Sequence, residues 1–173
     1  MHIFLLGYMG CGKSFLSKKL SKVLTIDYFD LDNLVELKEN QKIIEIFKKK
    51  GESYFRKIEN LELYNLINKK NKSIVATGGG TPCFLNNMKL MNNSGITIYL
   101  KKKPDILFKT LINSKRERPV FNSFKSKSDF FNNFKQREKF YNKSKIIIDC
   151  NFINEQEIIL KINKILDEIR FKK

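Results

Sequence analysis

Eight residues near the start of the chain, Gly7-Tyr8-Met9-Gly10-Cys11-Gly12-Lys13-Ser14, fit the spacing G-x-x-x-x-G-K-[ST]. Glycines at these positions let backbone N–H groups turn inward around a phosphate, and a helix N-terminus directly behind them adds partial positive charge. Lys13 would reach the β- and γ-phosphates of a nucleotide, and the Ser14 hydroxyl would ligate Mg²⁺. The motif carries weight only after a strand and before a helix. Residues 3–6 read as a strand and 14–24 as a helix, so that context is met. A glycine-rich turn without nucleotide is the plain alternative, and the flanks argue against it.

Further along, Asp30-Leu31-Asp32 falls at the end of a second strand candidate. Ligands of open α/β sheets lie beyond the carboxyl ends of strands, where two carboxylates at i and i+2 can serve a metal and an acceptor hydroxyl separately. Asp also caps helices, and Asp32 in that reading caps a helix beginning near Asn33. Arg56, within Tyr54-Phe55-Arg56-Lys57-Ile58-Glu59, is by itself one basic residue among many. Gly78-Gly79-Gly80 follows a third strand candidate and suits a backbone that approaches a ligand closely. Arg118-Pro119 lies in a polar stretch and Arg137 in the helix after it.

These residues need elements to position them. Short β-rich runs at 3–6, 26–29, 73–76, 96–100 and 146–148 alternate with helical periods at 14–24, 33–39, 43–49, 52–68, 84–91, 104–114 and 129–142. That alternation predicts a parallel sheet covered on both faces. A last helix over 155–170 places Ile158, Ile159, Ile162, Ile165, Leu166 and Ile169 on one packing stripe. Residues 115–128 fit neither period, and polar loops of that length inside a domain often act as lids. With no internal repeat or dividing linker, the 173 residues read as one domain.

Composition bounds the function further. The net charge of +16, from 34 Lys and Arg against 18 Asp and Glu, would steer phosphates, acidic metabolites or nucleic acid. The lysines are scattered through every segment, which reads as a global bias rather than a patch. Apolar runs are strand-sized, far short of the roughly 20 residues that span a bilayer. Cys11, Cys83 and Cys150 form neither a C-x-x-C pair nor a zinc set and read as free thiols. With the start of the chain showing no leader pattern, the expected compartment is the cytoplasm.

Taken in order, GYMGCGKS, DLD, FRKIE, TGGG, RP and QREKFY resemble shikimate kinase, from the first strand to about Asp149. The resemblance implies an α/β fold whose five parallel strands run in the order 2-3-1-4-5, with a lid over 115–128. It implies transfer of the ATP γ-phosphoryl group to the 3-hydroxyl of shikimate, a step of aromatic amino acid biosynthesis, with Mg²⁺ as cofactor. Carried residue by residue, Gly10, Cys11, Gly12, Lys13, Ser14, Phe15 and Arg118 match ATP contacts, and Ser14 and Asp30 match the metal residues. Asp32 matches the residue that holds the acceptor hydroxyl, Arg56 and Arg137 the pair that grips the carboxylate, and Gly79 the glycine beside the ring. Lys13, Asp32 and Arg118 stand nearest the chemistry. An arginine fork suits a planar carboxylate better than lysine does. Phe15 stands where a small residue is usual, Cys11 where Ala or Ser is frequent, and Lys109 matches only loosely the basic residue on adenine. The expected partners are shikimate and ATP, acting on a monomer, with no membrane and no specific nucleic acid. The rival readings are a kinase for gluconate or a nucleoside monophosphate, and a basic nucleic-acid-binding protein; no RRM, KH or zinc-knuckle pattern supports the last.

Overall fold

Runs of Ile, Val, Leu and Phe form the inner strands, buried on both faces as parallel strands between helical layers are, while the two edge strands are partly exposed. The computed structural model describes residues 1–69 and 71–171. Its strands are β1 (His2–Leu6), β2 (Asp27–Asp30), β3 (Ser73–Ala76), β4 (Gly95–Lys101) and β5 (Ile146–Asp149). They make one parallel sheet in the expected order, β2-β3-β1-β4-β5. β1 is central, with Leu5 opposite Ala76 of β3 on one side and Ile98 of β4 on the other. The connection leaving β1 runs toward β2 and the one leaving β3 runs toward β4, so a crevice opens between the carboxyl ends of β1 and β3.

The helices are α1 (Lys13–Leu24), α2 (Leu31–Glu39), α3 (Ile43–Ile67), α4 (Asn87–Ser94), α5 (Pro104–Ile112), α6 (Pro119–Asn122), α7 (Lys127–Tyr141) and α8 (Glu155–Phe171), with a 3-10 turn at Thr81–Cys83. Period two on β1 sends Ile3 and Leu5 to one face and Phe4 and Leu6 to the other. The first pair joins the larger core, with Leu16 and Leu20 of α1, Phe130 of α7 and the Ile158, Ile162 and Leu166 stripe of α8. The second pair packs on Leu63 and Leu66 of α3 and Met91 of α4. Phe4 is fully buried, so its truncation to Ala costs about 3–5 kcal/mol in lost transfer and cavity terms. A third small cluster, Val35, Ile46 and Phe55, ties α2 to α3.

Several boundaries differ from the expectations, each for a local reason. α2 begins at Leu31, because Asp30 is its N-cap and accepts from the Asp32 N–H at 3.1 Å. The capping role considered for Asp32 therefore belongs to Asp30. Gly51 interrupts α3 at φ 78, ψ 170 and keeps 43–49 and 52–68 as two helical pieces. The helix expected from 84 starts only at Asn87, since Leu85 and Asn86 hold left-handed backbone that no right-handed helix continues through. Residues 115–128 are not wholly irregular: Pro119 at the first helical position presets φ for α6. A capping box between Ser126 and Asp129 starts α7 at Lys127.

Candidate active site

Gly7 follows β1 and turns the chain so sharply that a Cβ there would lie 2.8 Å from Cys11 Sγ. Gly12 caps α1 at φ 99 with no side-chain cap and no acidic residue in the first turn. The first N–H groups of α1 are thus left for an anion. Lys13 folds over its own loop, its Nζ donating to Gly7 O at 2.7 Å and Tyr8 O at 3.0 Å. Its charge stands beside the turn, and only 8 % of the residue is exposed.

The glycine run is fixed beside this cradle by Thr77, whose N–H and hydroxyl both donate to Leu5 O of β1. Gly78 and Gly80 pass functional groups too closely for a side chain, and Gly79 is hemmed in by the backbone of Met9. A Cβ on Gly78 would lie 2.6 Å from Glu59 Oε1 and 2.9 Å from Asp32 Oδ1, and one on Gly80 2.6 Å from Arg56 Cζ. A Cβ on Gly79 would lie 3.1 Å from Met9 N and 3.6 Å from Arg137 Nη1. Bare backbone therefore joins the cradle to Asp32 and both arginines. Tyr141 of α7 anchors it by donating to Gly79 O.

Arg56 has three of its five N–H donors paired to carboxylates. Its Nη1 donates to Glu59 Oε2 at 2.8 Å, and its Nη2 and Nε donate to Glu52 Oε1 at 2.8 and 3.1 Å. Glu59 is 1 % exposed and also accepts from the Thr81 hydroxyl. Burial opposes the Arg56 charge, but Glu59 and Glu52 outweigh it and hold the guanidinium above its ordinary pKa. Arg137 is equally buried over the Tyr8 ring, with no salt-bridged carboxylate among the described residues. A buried guanidinium in that position is suited to a ligand's carboxylate.

Across the cavity, Asp32 meets the lid. Arg116 Nη2 lies 3.6 Å from Asp32 Oδ2, with side-chain exposures of 50 % and 27 %. Burial first, then the charges of Asp30 and Glu59, push the Asp32 carboxyl up to about 6, against the pull of Arg116 and Lys13. Arg118 has a buried Nε with no hydrogen-bond partner among the described residues. Its guanidinium is held below its ordinary pKa by burial and by neighbouring Arg116.

One cavity of about 730 Å³ gathers these groups. Gly10, Gly12, Lys13, Ser14, Phe15, Asp32, Arg56, Gly79, Arg118 and Arg137 all line it. Cys11 and Asp30 do not. The Cys11 side chain is buried in the core, which leaves its backbone to the cradle, and Asp30 turns its carboxylate to the start of α2. Thr110, not Lys109, reaches the lining from α5. For Mg²⁺, Ser14 and Asp32 line the cavity, while Asp30, outside the lining, caps α2 just before Asp32. Among the described residues no three His, Cys, Asp or Glu side chains cluster as a metal cage. That donor set suits Mg²⁺, which keeps waters and phosphate oxygens and takes few protein ligands.

Sequence reasoning missed Glu52, Glu59, Thr81, Arg116 and Tyr141. Glu52 and Glu59 were findable, because they stand four before and three after Arg56 on one helical face. Nothing in the local pattern marks Tyr141 or Thr81, whose roles depend on where the glycine run passes.

A cradle for a nucleotide's phosphates that opens onto a small anion-binding wall is the arrangement of a P-loop small-molecule kinase. Similarity to known proteins narrows the class. The family profile described as shikimate kinase matches residues 9–167. A shikimate kinase of Azobacteroides pseudotrichonymphae genomovar. CFP2 is 44 % identical over 118 residues, 68 % of this chain and 69 % of that one. One from Flavobacterium johnsoniae is also 44 % identical, over 119 residues with the same shares. The crystal structure of shikimate kinase from Bacteroides thetaiotaomicron superposes with a TM-score of 0.84 at 30 % identity, covering 96 % of this chain and 98 % of that chain. That of shikimate kinase from Acinetobacter baumannii in complex with shikimate gives 0.87 at 27 % identity, covering 96 % and 93 %. The chain belongs to the shikimate kinase family. This sets aside the gluconate, nucleoside monophosphate and nucleic-acid readings. No described helix is long and apolar enough to cross a membrane.

Proposed function

We propose that this chain transfers the γ-phosphoryl group of ATP to the 3-hydroxyl of shikimate, giving shikimate 3-phosphate. The observation that carries the reading is the meeting of Arg56 and Arg137 at adjacent glycines, in the cavity that also holds the phosphate cradle. Two guanidiniums from different helices orient a planar carboxylate by charge-assisted hydrogen bonds, which fixes the ring and its hydroxyls. Asp32 faces the same glycine run, holds the acceptor hydroxyl and accepts its proton. The N–H groups of Gly10 to Phe15 and the Lys13 ammonium hold the nucleotide's phosphates. Arg118 neutralises the phosphoryl group in transfer, and closure of residues 115–128 excludes water. The Ser14 hydroxyl would hold Mg²⁺, with the Asp30 carboxylate, occupied as the cap of α2, acting through water, and the ion would supply charge neutralisation on the phosphate oxygens.

Three free thiols suit a reducing compartment, in keeping with the cytoplasm. An ATP-consumption assay with Mg²⁺ across shikimate, gluconate and nucleoside monophosphates tests the reading. Turnover should require shikimate and stop on chelation of the metal. Phosphorylation of gluconate or a nucleotide without that of shikimate would overturn it.

A further inference from the structure

Arg56 is held by more than its two carboxylates. Glu52 and Glu59 act along the edges of the guanidinium, where its N–H bonds point. They fix the head against sliding in its own plane and do little against tilting out of it. The remaining contacts are aromatic. Arg56 Cζ lies 4.5 Å from the centre of the Phe84 ring and 4.9 Å from that of its helix neighbour Phe55. Phe55 belongs to the small cluster that joins α2 to α3 and lines the cavity. Phe84 does neither. It stands outside the cavity lining, in the connection between the 3-10 turn and α4, and is 36 % exposed.

The backbone around Phe84 is arranged at some cost. Phe84 itself is extended at φ −123, ψ 155, and the next two residues, Leu85 and Asn86, have φ of 48 and 57. A left-handed leucine is uncommon, because its Cβ crowds the following carbonyl. The Asn87 N–H returns to Phe84 O at 2.9 Å and closes this turn. A strained turn therefore carries a large, partly exposed aromatic ring to the one guanidinium that the glycine run leaves open at Gly80.

We propose that Phe84 is a positioning residue for acceptor recognition: its ring stacks on Arg56 and sets the plane in which that guanidinium meets the acceptor's carboxylate. The proposal rests on the reading of Arg56 as a carboxylate ligand. Bidentate recognition needs the donor and acceptor planes aligned, so a guanidinium free to tilt keeps its charge and loses its geometry. Attraction between a cation and a ring face supplies the missing restraint, and it operates without touching the substrate.

Steady-state kinetics on the parent, Phe84→Leu, Phe84→Met and Phe84→Tyr test this, with Arg56→Lys as reference. Leu and Met keep an apolar side chain and remove the ring, whereas Tyr keeps the ring face. The KM for shikimate should rise roughly three- to tenfold in the Leu and Met variants, the range a partly desolvated cation–ring contact spans. The KM for ATP and kcat should stay at parental values, and Tyr should restore the KM for shikimate. An unchanged KM in Phe84→Leu overturns the proposal, as does a Tyr variant as impaired as Leu, or a KM for ATP that rises in step. If Leu does not fold, Met carries the same outcomes. If Arg56→Lys itself leaves the KM for shikimate unaltered, the carboxylate reading fails and the Phe84 proposal with it. If Arg56→Lys raises it while Phe84→Leu and Phe84→Met do not, Phe84 alone is excluded.

Discussion

The wall around Arg56 and the lid around Arg118 carry the same side chain in opposite conditions. On the wall, Arg56 is 6 % exposed, its partner Glu59 is 1 % exposed, and Gly80 and Phe84 pack against it before any ligand arrives. On the lid, Arg118 has a buried Nε without a hydrogen bond among the described residues, and Arg116 reaches Asp32 only at 3.6 Å. Around Arg56 the wall is already in binding geometry and the charge is settled within the protein, while Arg137 beside it has no salt-bridged carboxylate among the described residues. The lid holds cations whose best partners are the phosphates they would close upon. Preorganisation at the acceptor and deferred pairing at the nucleotide are thus divided between two regions of one cavity.

The largest test of this division is on stability. Replacing Arg56 by Met strands Glu59 in a buried site, and breaking such a pair costs about 3–5 kcal/mol. The melting temperature should then drop by roughly 6–20 °C for a chain of this size. Arg118→Met removes a cation that burial and Arg116 already disfavour. Its unfolding free energy should change by less than about 0.5 kcal/mol, while turnover falls by roughly 10³-fold, as for other arginines that neutralise a transferring phosphoryl group. Chemical denaturation of both variants reads the contrast. Equal stability losses would show that wall and lid are built alike.

Asp32 stands where the two regions meet. Asp32→Asn keeps the shape and the neighbours, and removes the charge that faces both Arg116 and the glycine run. Turnover should fall by roughly 10²-fold or more, the scale of a positioned acid or base. A variant with near-parental turnover would leave Asp32 as a tether for the lid.

A smaller effect is expected at Arg137, the member of the wall with no salt-bridged carboxylate among the described residues. Arg137→Lys keeps the charge and loses the planar fork, so the KM for shikimate should rise roughly tenfold, the value of one charge-assisted hydrogen bond. The KM for ATP should not follow. An acceptor analogue with a neutral carboxamide should be poor for the parent and lose little more in the variant. Undiminished discrimination between acid and carboxamide would remove Arg137 from the carboxylate.

How far each region could be read in advance follows from how its contacts are made. The cradle was legible because its function lies in consecutive residues: Gly7 to Ser14 specify the turn and the helix behind it, and β1 and α1 fell where periodicity placed them. The sheet order came through the resemblance rather than through hydrophobic period, which cannot say which strand lies beside which. Arg56 and Arg137 came the same way, since their meeting depends on α3 and α7 packing to either side of the glycine run. Phe84 escaped because its surroundings read as the start of a helix, and only the left-handed pair Leu85-Asn86 moves that start to Asn87. Arg116 escaped because one more basic residue in a basic loop carries no local mark.

The finest test concerns the lid at rest. The contact between Arg116 and Asp32 is long and half-exposed, and such pairs contribute about 0–1 kcal/mol. That pair does little to hold the ligand-free lid, whereas Val120, Phe121 and Phe124 anchor its far end on the larger core, so amide exchange across residues 115–118 should be fast beside that of α3 or β1. Arg116→Gln should speed it by no more than about fivefold, the factor that corresponds to 1 kcal/mol. Binding ATP and shikimate together should slow exchange in the same segment by far more, because Arg118 then gains an anion for its buried Nε. In the Arg118→Met variant that added protection should largely vanish, whereas exchange in α3 around Arg56 should be unaffected by ligand in parent and variant alike. Strong protection of the lid without ligands would mean that it is as settled as the wall. Ligand-dependent protection around Arg56 would mean that the wall also waits for its substrate.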